Sequence, residues 1–359
     1  MWWSMKWKPS ASCAAPSAPS PSSTPTTASR SRTQPRYRRQ ASPRTTNTSA
    51  NHRRCNRIIS PDYFTGCCWR ISLISRRLVG EQMVSYDPRN KCEISVHELE
   101  YQDGLAVRVY QPEGAGPFPA LVDVHGGVWT NGDRTANEVM DRALAESGIV
   151  VAAVDFRQSP DHPYPAQVAD VNLATRWLKT HAADFNADPQ TVGGVGGSSG
   201  SHTVLLSAMR ADHPAYSTID LPGSDADATL KYLLLGWPIV DPYARYQFVK
   251  ETGNERIIGL SEGYFGTTDA MKEGSPFQIL KRGEKASLPP ILIVQGTADN
   301  NLPVPVTKEF VAAYREAGGD IELELFPDMP HLFGNTPGPE SDRAIALMKK
   351  FAARILSDG

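Results

Sequence analysis

From residue 94 onward the apolar positions follow two rhythms. At 94–101 and 105–111 apolar and polar residues alternate, and Asp103-Gly104 between them suits a tight turn. That pattern predicts an antiparallel hairpin. Short apolar runs follow at 120–124, 149–154, 191–195, 232–235, 291–295 and 322–326. Such runs suit strands buried on both faces of a parallel sheet. Helical stretches separate them, notably at 135–147, 167–181, 201–210, 304–317 and 342–356. The series predicts an α/β domain: a doubly wound, mostly parallel sheet with antiparallel first strands and helices on both faces. One run makes a poor strand, because Gly193 and Gly194 have no side chains to pack. Their presence points to neighbouring backbones that approach closely.

In a sheet of this kind the chemistry gathers at the carboxyl ends of the strands. Directly after the glycine-weakened run stands Gly196-Gly197-Ser198-Ser199-Gly200, a G-x-S-x-G sequence with a helical stretch behind it. Strand, sharp turn and helix is the setting of a nucleophile elbow. The turn strains the nucleophile's backbone, so the residues two before and two after it need to be nearly free of side chain. Gly196 and Gly200 meet that demand for Ser198, and no such pair exists for Ser199 or Ser201. Phosphate-binding readings of the same glycines fail. A P-loop needs Gly-Lys-Ser/Thr and the cluster has no lysine, while a dinucleotide fingerprint would need glycine at Ser199.

Other clusters also fall just after predicted strands. His125-Gly126-Gly127-Val128-Trp129 follows the first buried run, and its paired glycines let main-chain N–H groups turn inward, as an oxyanion hole requires. The amides of Gly126, Gly127 and Ser199 are the expected donors. Asp299 lies in Gly296-Thr297-Ala298-Asp299 after a late strand, and His331 lies in Pro330-His331-Leu332-Phe333 after the last one. The order Ser198, Asp299, His331 is that of the α/β-hydrolase triad. Of the eight histidines only His331 lies beyond Asp299. Asp241 is the fallback acid, and His202, four residues past Ser198, reads as structural.

Composition divides the chain near Met83. Residues 1–82 carry 14 Lys and Arg against two acids, and the remainder carries 23 against 37. Four of the five cysteines also fall in the first segment, without the spacing of a site. Rich in Ser, Pro, Thr and Arg, that segment cannot bury enough surface to offset its ordering entropy, and disorder is expected. It has no apolar h-region of a secretory signal. An organelle transit peptide and a basic nucleic-acid-binding tail both fit it; the favoured reading is an upstream extension translated from a misplaced start. Residues 83–359 are then the catalytic domain, with one cysteine, Cys92, suiting a reducing, cytoplasmic setting. No apolar run reaches the length of a membrane span, and the acidic body argues against a nucleic-acid partner.

From about Ala120 to Phe333 the chain resembles the hormone-sensitive-lipase-like (bacterial family IV) branch of the α/β-hydrolases. The most specific part of the match is Asp155-Phe156-Arg157-Gln158-Ser159-Pro160-Asp161-His162-Pro163-Tyr164-Pro165-Ala166 with Asp170 beyond it, a block that in the family braces the loop beside the active site. Departures are visible. Val128 replaces a third glycine of the oxyanion loop, Gly197 stands where an acid is usual, and Ser201-His202 replaces Gly-Asn. The resemblance implies an α/β-hydrolase fold and a carboxylesterase that cleaves small, short-acyl esters through an acyl-serine. Ser198 is then the nucleophile, His331 the base and Asp299 the acid that orients it. It implies no cofactor and no metal, and dimerisation through an edge strand. Residues 214–287 are expected to wall the pocket, with Trp237, Tyr264 and Phe265 as candidates; Trp129, Tyr164, Trp237, Phe265 and Leu332 are the candidate substrate contacts. An amidase or arylformamidase would use the same triad. A non-catalytic small-molecule receptor would have less need of all three residues.

Overall fold

The computed structural model describes residues 86–357. The boundary expected at Met83, and everything expected of residues 1–82, lie outside the described residues. The alternating segments form the hairpin β1 (Ile94–Gln102) and β2 (Leu105–Pro112), which pair antiparallel. The buried strands are β3 (Ala120–Val124), β4 (Val150–Val154), β5 (Gly193–Gly197), β6 (Leu233–Gly236) and β7 (Ile291–Gly296). The run expected to be buried at 322–326 is instead the edge strand β8 (Ile321–Phe326), buried only at its two ends, with Glu322 exposed. The eight lie in the order β1-β2-β4-β3-β5-β6-β7-β8, with parallel pairing from β4 across to β8. From β3 the chain crosses first to β4 and then back to β5 on β3's other side. A crevice therefore opens at the carboxyl ends of β3 and β5, the switch point where doubly wound sheets place their sites.

Strand periodicity feeds two cores. Val122, Val124, Ala152, Leu233, Leu235 and Ile293 pack on the side of α2 (Ala166–His181), α3 (Ser199–Met209) and α8 (Val304–Glu316). Their neighbours Leu121, Val151, Ala153, Leu234 and Leu292 face α1 (Glu138–Glu146) and α9 (Pro339–Ser357) instead. Successive side chains point to opposite faces, so a run apolar at every position is what a sheet covered twice requires.

Most boundaries move by one to three residues from the pattern, and two of the shifts have a plain cause. Helix α1 begins at Glu138 rather than 135, because Thr135 closes a turn on Asp133 and the Asn137 side chain donates to Asp123 at 2.9 Å instead of capping the helix. β5 begins at Gly193 rather than 191, after Asp188 has capped a single helical turn over Pro189–Thr191. The weak strand is a filled one. A Cβ on Gly193 would lie 2.9 Å from the Tyr232 ring, and one on Gly194 would lie 2.7 Å from Val204. Neighbouring side chains, more than neighbouring backbones, occupy the space the glycines leave.

Between β6 and β7 four helices are inserted: α4 (Pro242–Glu251), α5 (Glu255–Phe265), α6 (Thr268–Glu273) and α7 (Pro276–Lys281). Each starts on a side-chain cap, in turn Asp241, Asn254, Thr267 and Ser275. This insertion brings Arg245, Tyr264 and Phe265 up to the loops that follow β3 and β7.

Candidate active site

Ser198 joins β5 to α3 with φ 56° and ψ −120°, a conformation that costs a residue with a Cβ roughly 1–3 kcal/mol. The turn is held by the Ser198 amide, which donates to the Gly236 carbonyl at 2.9 Å. It closes only because Gly200 lacks a side chain: a Cβ there would fall onto the Val124 carbonyl oxygen. The three crowded serines then separate. The Ser201 hydroxyl donates to the Gly196 carbonyl at 2.6 Å, and Ser199 Oγ accepts from the Trp129 amide at 3.4 Å. Only Ser198 Oγ faces an imidazole, lying 2.8 Å from His331 Nε2.

His331 stands on the loop after β8, and its Nδ1 is 2.9 Å from Asp299 Oδ2. Two carboxylate-bound amides fix the acid, Asn301 at 2.8 Å and Leu302 at 3.2 Å from Oδ1, and Gln295 Nε2 lies 3.3 Å from Oδ2. With Nδ1–H given to Asp299, Nε2 is left to accept from the serine hydroxyl. The acid and histidine loops are pressed together: Ala298 donates to the Met329 carbonyl at 3.0 Å, and a Cβ on Gly296 would strike that same carbonyl. Asp241, the fallback acid, is spent on the first turn of α4, its Oδ1 3.1 Å from the amides of Tyr243 and Ala244.

The loop after β3 lies against the elbow, where a Cβ on Gly126 would come 3.3 Å from Ser198 Cβ. The amides of Gly126 and Gly127 donate to no carbonyl among the described residues. Ser199, first residue of α3, has no intrahelical acceptor for its amide. His125 is buried, stacked on Phe156 at 4.2 Å, and donates Nδ1–H to the Gly126 carbonyl at 2.7 Å. Burial pushes its pKa below the ordinary imidazole value. Val128 and Trp129 both adopt left-handed backbone, φ 57° and 63°. Where the resemblance expects glycine, a β-branched side chain is thus held in a conformation glycine takes freely.

The Asp155–Ala166 block grips this loop from outside. The Trp129 carbonyl accepts from the Ser159 amide at 3.1 Å and from Gln167 Nε2 at 2.5 Å, and Gln158 donates to the Gly132 carbonyl at 2.8 Å. Arg157 clamps the buried Asp170 with both side chain and amide, and Arg134 clamps Asp155.

The residues expected to contact substrate scatter. Trp129 is buried, stacked on Tyr264 at 5.0 Å, with Phe265 edge-on at 5.0 Å. Trp237 is buried behind the elbow, against Gly197 and Gly334 and edge-on to Phe333. Tyr164, half-buried, donates its hydroxyl to Glu273 and accepts from the Tyr216 hydroxyl. Leu332 is the exposed member, at 43 %. His202 lies fully buried in the aromatic cluster, accepting from Trp129 Nε1 at 3.2 Å and donating to the Gly274 carbonyl at 2.8 Å. Its pKa is lowered to about 4, chiefly by burial. Arg245, Gln295 and Asn301 belong to no motif of the chain, yet they gather round Asp299. The one available signal was Arg245's place on the buried side of α4 with Tyr246 and Val249. Among the described residues no group of three or more His, Cys, Asp and Glu side chains is arranged to hold a metal ion.

The fold and this constellation are those of an α/β-hydrolase. Residues 107–314 match the BD-FAE family, and the chain belongs to it. Among named relatives, Esterase LipQ of Mycobacterium tuberculosis is 26% identical over 67% of this chain and 54% of its own length. Esterase LipC of the same organism is 29% identical over 64% and 58%. The chain thus spans little more than half the length of these curated relatives. A solved structure of an esterase from Thermogutta terrifontis, Est2, in its propionate-bound form, is 26% identical with a TM-score of 0.57, covering 74% of this chain and 94% of that one. The same esterase has also been solved phosphorylated by paraoxon, at a TM-score of 0.59. No helix among the described residues is long and apolar enough to cross a membrane.

Proposed function

We propose that the protein is a serine hydrolase that cleaves small, short-acyl carboxylic esters through an acyl-serine intermediate. The observation that carries the reading is the unbroken hydrogen-bonded line from Ser198 Oγ through His331, 2.8 Å, to Asp299, 2.9 Å. Ser198 Oγ attacks the ester carbonyl carbon while its proton passes to His331 Nε2, and the carbonyl electron pair moves onto oxygen. The free amides of Gly126, Gly127 and Ser199 hold that oxyanion. Collapse expels the alkoxide, which takes the proton from Nε2 and leaves as alcohol. Water then gives a proton to Nε2, attacks the acyl-serine, and releases the acid as the proton returns to Ser198. Asp299 holds the imidazole in the required tautomer and stabilises its charged form.

Support for the ester preference comes from the relatives, several of them named esterases, and from the two Thermogutta structures that carry propionate and butyrate. Those two bound acids support the choice of short acyl chains. The test is a panel of aryl esters of graded acyl length, with an aryl amide and an aryl formamide, run on the full chain. Short-chain esters are expected to show the highest kcat/KM. Preferential turnover of the amide or the formamide would replace the ester reading with an amidase or arylformamidase one.

A further inference from the structure

A buried cation stands behind the acid of the triad, and no step above uses it. Arg245 on α4 is 1% exposed. It makes no ion pair among the described residues: Nε donates to Asn301 Oδ1 at 2.6 Å and Nη1 to Ser261 Oγ at 3.3 Å. Its guanidinium carbon lies 5.4 Å from the centre of the Trp129 ring. Burying a guanidinium without a bonded carboxylate is costly, so the position calls for a return elsewhere. Asn301 shows where that return lies. Its side-chain oxygen is held by Arg245, and its own amide donates to Asp299 Oδ1 at 2.8 Å. On its other side Arg245 rests on Trp129, whose amide reaches Ser199 Oγ. One side chain therefore touches both the loop that carries the acid and the loop beside the elbow.

We propose that Arg245 is a positioning residue for the hydrolysis: it fixes Asn301 so that Asp299 stays against His331, and it sets a fixed positive charge behind the acid and histidine loops. The inference rests on the serine-hydrolase reading. Few other groups compete for the role. From α3, His202 faces the same cluster in its neutral form, its proton given to the Gly274 carbonyl. From α5 come Ser261, which donates to the Ile257 carbonyl and so only accepts from Arg245, and Tyr264, whose hydroxyl is kept protonated by burial. From the acid loop come Asp299 and Asn301, with His331 beyond them. In the mechanism above His331 works as a base only when neutral, and a neighbouring cation opposes its protonation.

Three variants separate the parts. Arg245→Met keeps an apolar stem on Trp129 but loses the charge and the donors. Arg245→Lys keeps the charge, and Asn301→Ala removes the oxygen that Arg245 holds. With a neutral aryl ester, Arg245→Met is expected to lower kcat by about 10–100-fold with KM within about threefold. The acid limb of kcat/KM should move to higher pH by a few tenths of a unit or more. Arg245→Lys should return the limb to its original place, and Asn301→Ala should lower kcat without moving it. Unchanged kcat and limb in Arg245→Met, with only Tm reduced, would overturn the proposal by making the arginine a packing group. Should Arg245→Met not fold, undiminished kcat in Asn301→Ala or a limb displaced upward in Arg245→Lys would overturn it equally. A phosphonate that fails to label the unaltered protein would instead remove the serine-hydrolase reading itself.

Discussion

The indole N–H of Trp129 donates to Nδ1 of His202 at 3.2 Å, so the buried imidazole must stay neutral to keep its partner. Its other nitrogen donates to the Gly274 carbonyl, which fixes the tautomer. A proton on Nδ1 would break the first bond and place a charge in an aromatic cluster. This arrangement ties a residue of the elbow helix to the stability of the whole domain.

Stability should therefore fall in mild acid. His202 has its folded pKa depressed to about 4 from an ordinary 6.5. Above about 6.5 neither state binds the proton and nothing is lost. Between about 6.5 and 4 the unfolded chain binds it and the folded chain does not, so stability drops by on the order of 3 kcal/mol. Denaturant unfolding at pH 7.5 and pH 4.5 measures the drop, and His202→Gln should reduce it. An equally steep drop in His202→Gln would assign the acid sensitivity elsewhere.

A second buried pair acts with the opposite sign. Asp123 on β3 and Asp141 on α1 are both fully buried; Asp123 accepts from Asn137 Nδ2, while both oxygens of Asp141 lack a partner. Burial raises both pKa values above the ordinary carboxylate range, and their mutual repulsion raises Asp141 further. At a pH below the unfolded pKa both states hold their protons, and as pH rises the unfolded chain ionises first, so stability is lost towards alkaline pH. Asp141→Asn removes that loss and is expected to stabilise by about 1–3 kcal/mol at pH 8. Little gain is expected at pH 4, and an equal gain at both values would contradict the titration.

Two glycines near the elbow should respond unequally to a methyl group. At Gly194 the nearest atoms belong to the side chains of Val204, Leu233 and Leu230, which can shift. Gly194→Ala is expected to cost about 1–3 kcal/mol, the usual range for overpacking. At Gly200 the nearest atoms are the backbone carbonyls of Val124 and His125, which cannot move without opening the sheet. Gly200→Ala should cost more than about 4 kcal/mol or prevent soluble folding. Thermal unfolding of the two proteins decides, and equal costs would mean that the elbow yields.

Much of this was legible in the chain. Strand runs such as 120–124 and 291–295 show themselves because a doubly covered sheet buries every position and leaves room for only an isolated polar residue, Asp123 in the first and Gln295 in the second. The elbow shows itself through its flanking glycines. Ser198, Asp299 and His331 follow from strand ends and chain order, and the structure brings those three side chains together. The helices between β6 and β7 were harder to see. Their apolar stripes are short, and their best signals are the caps Asp241-Pro242, Asn254, Thr267 and Ser275-Pro276. Trp129, Trp237 and Phe265 lie buried because large aromatics beside a site serve its packing as readily as its substrate. Arg245 carried only a weak signal for the converse reason, since an arginine on a helix ordinarily reads as solvent-facing.

The central claim concerns which of three neighbouring serines carries the acyl group. The most direct measurement is mass spectrometry of the protein after treatment with a serine-directed phosphonate, alongside Ser198→Ala, Ser199→Ala and Ser201→Ala. The account predicts one adduct, on the peptide containing Ser198, absent from Ser198→Ala and retained in the other two. Ser198→Ala should lower kcat by at least ~10³-fold, and each of the others by at most about tenfold. An adduct that persists in Ser198→Ala and vanishes in Ser201→Ala would contradict it.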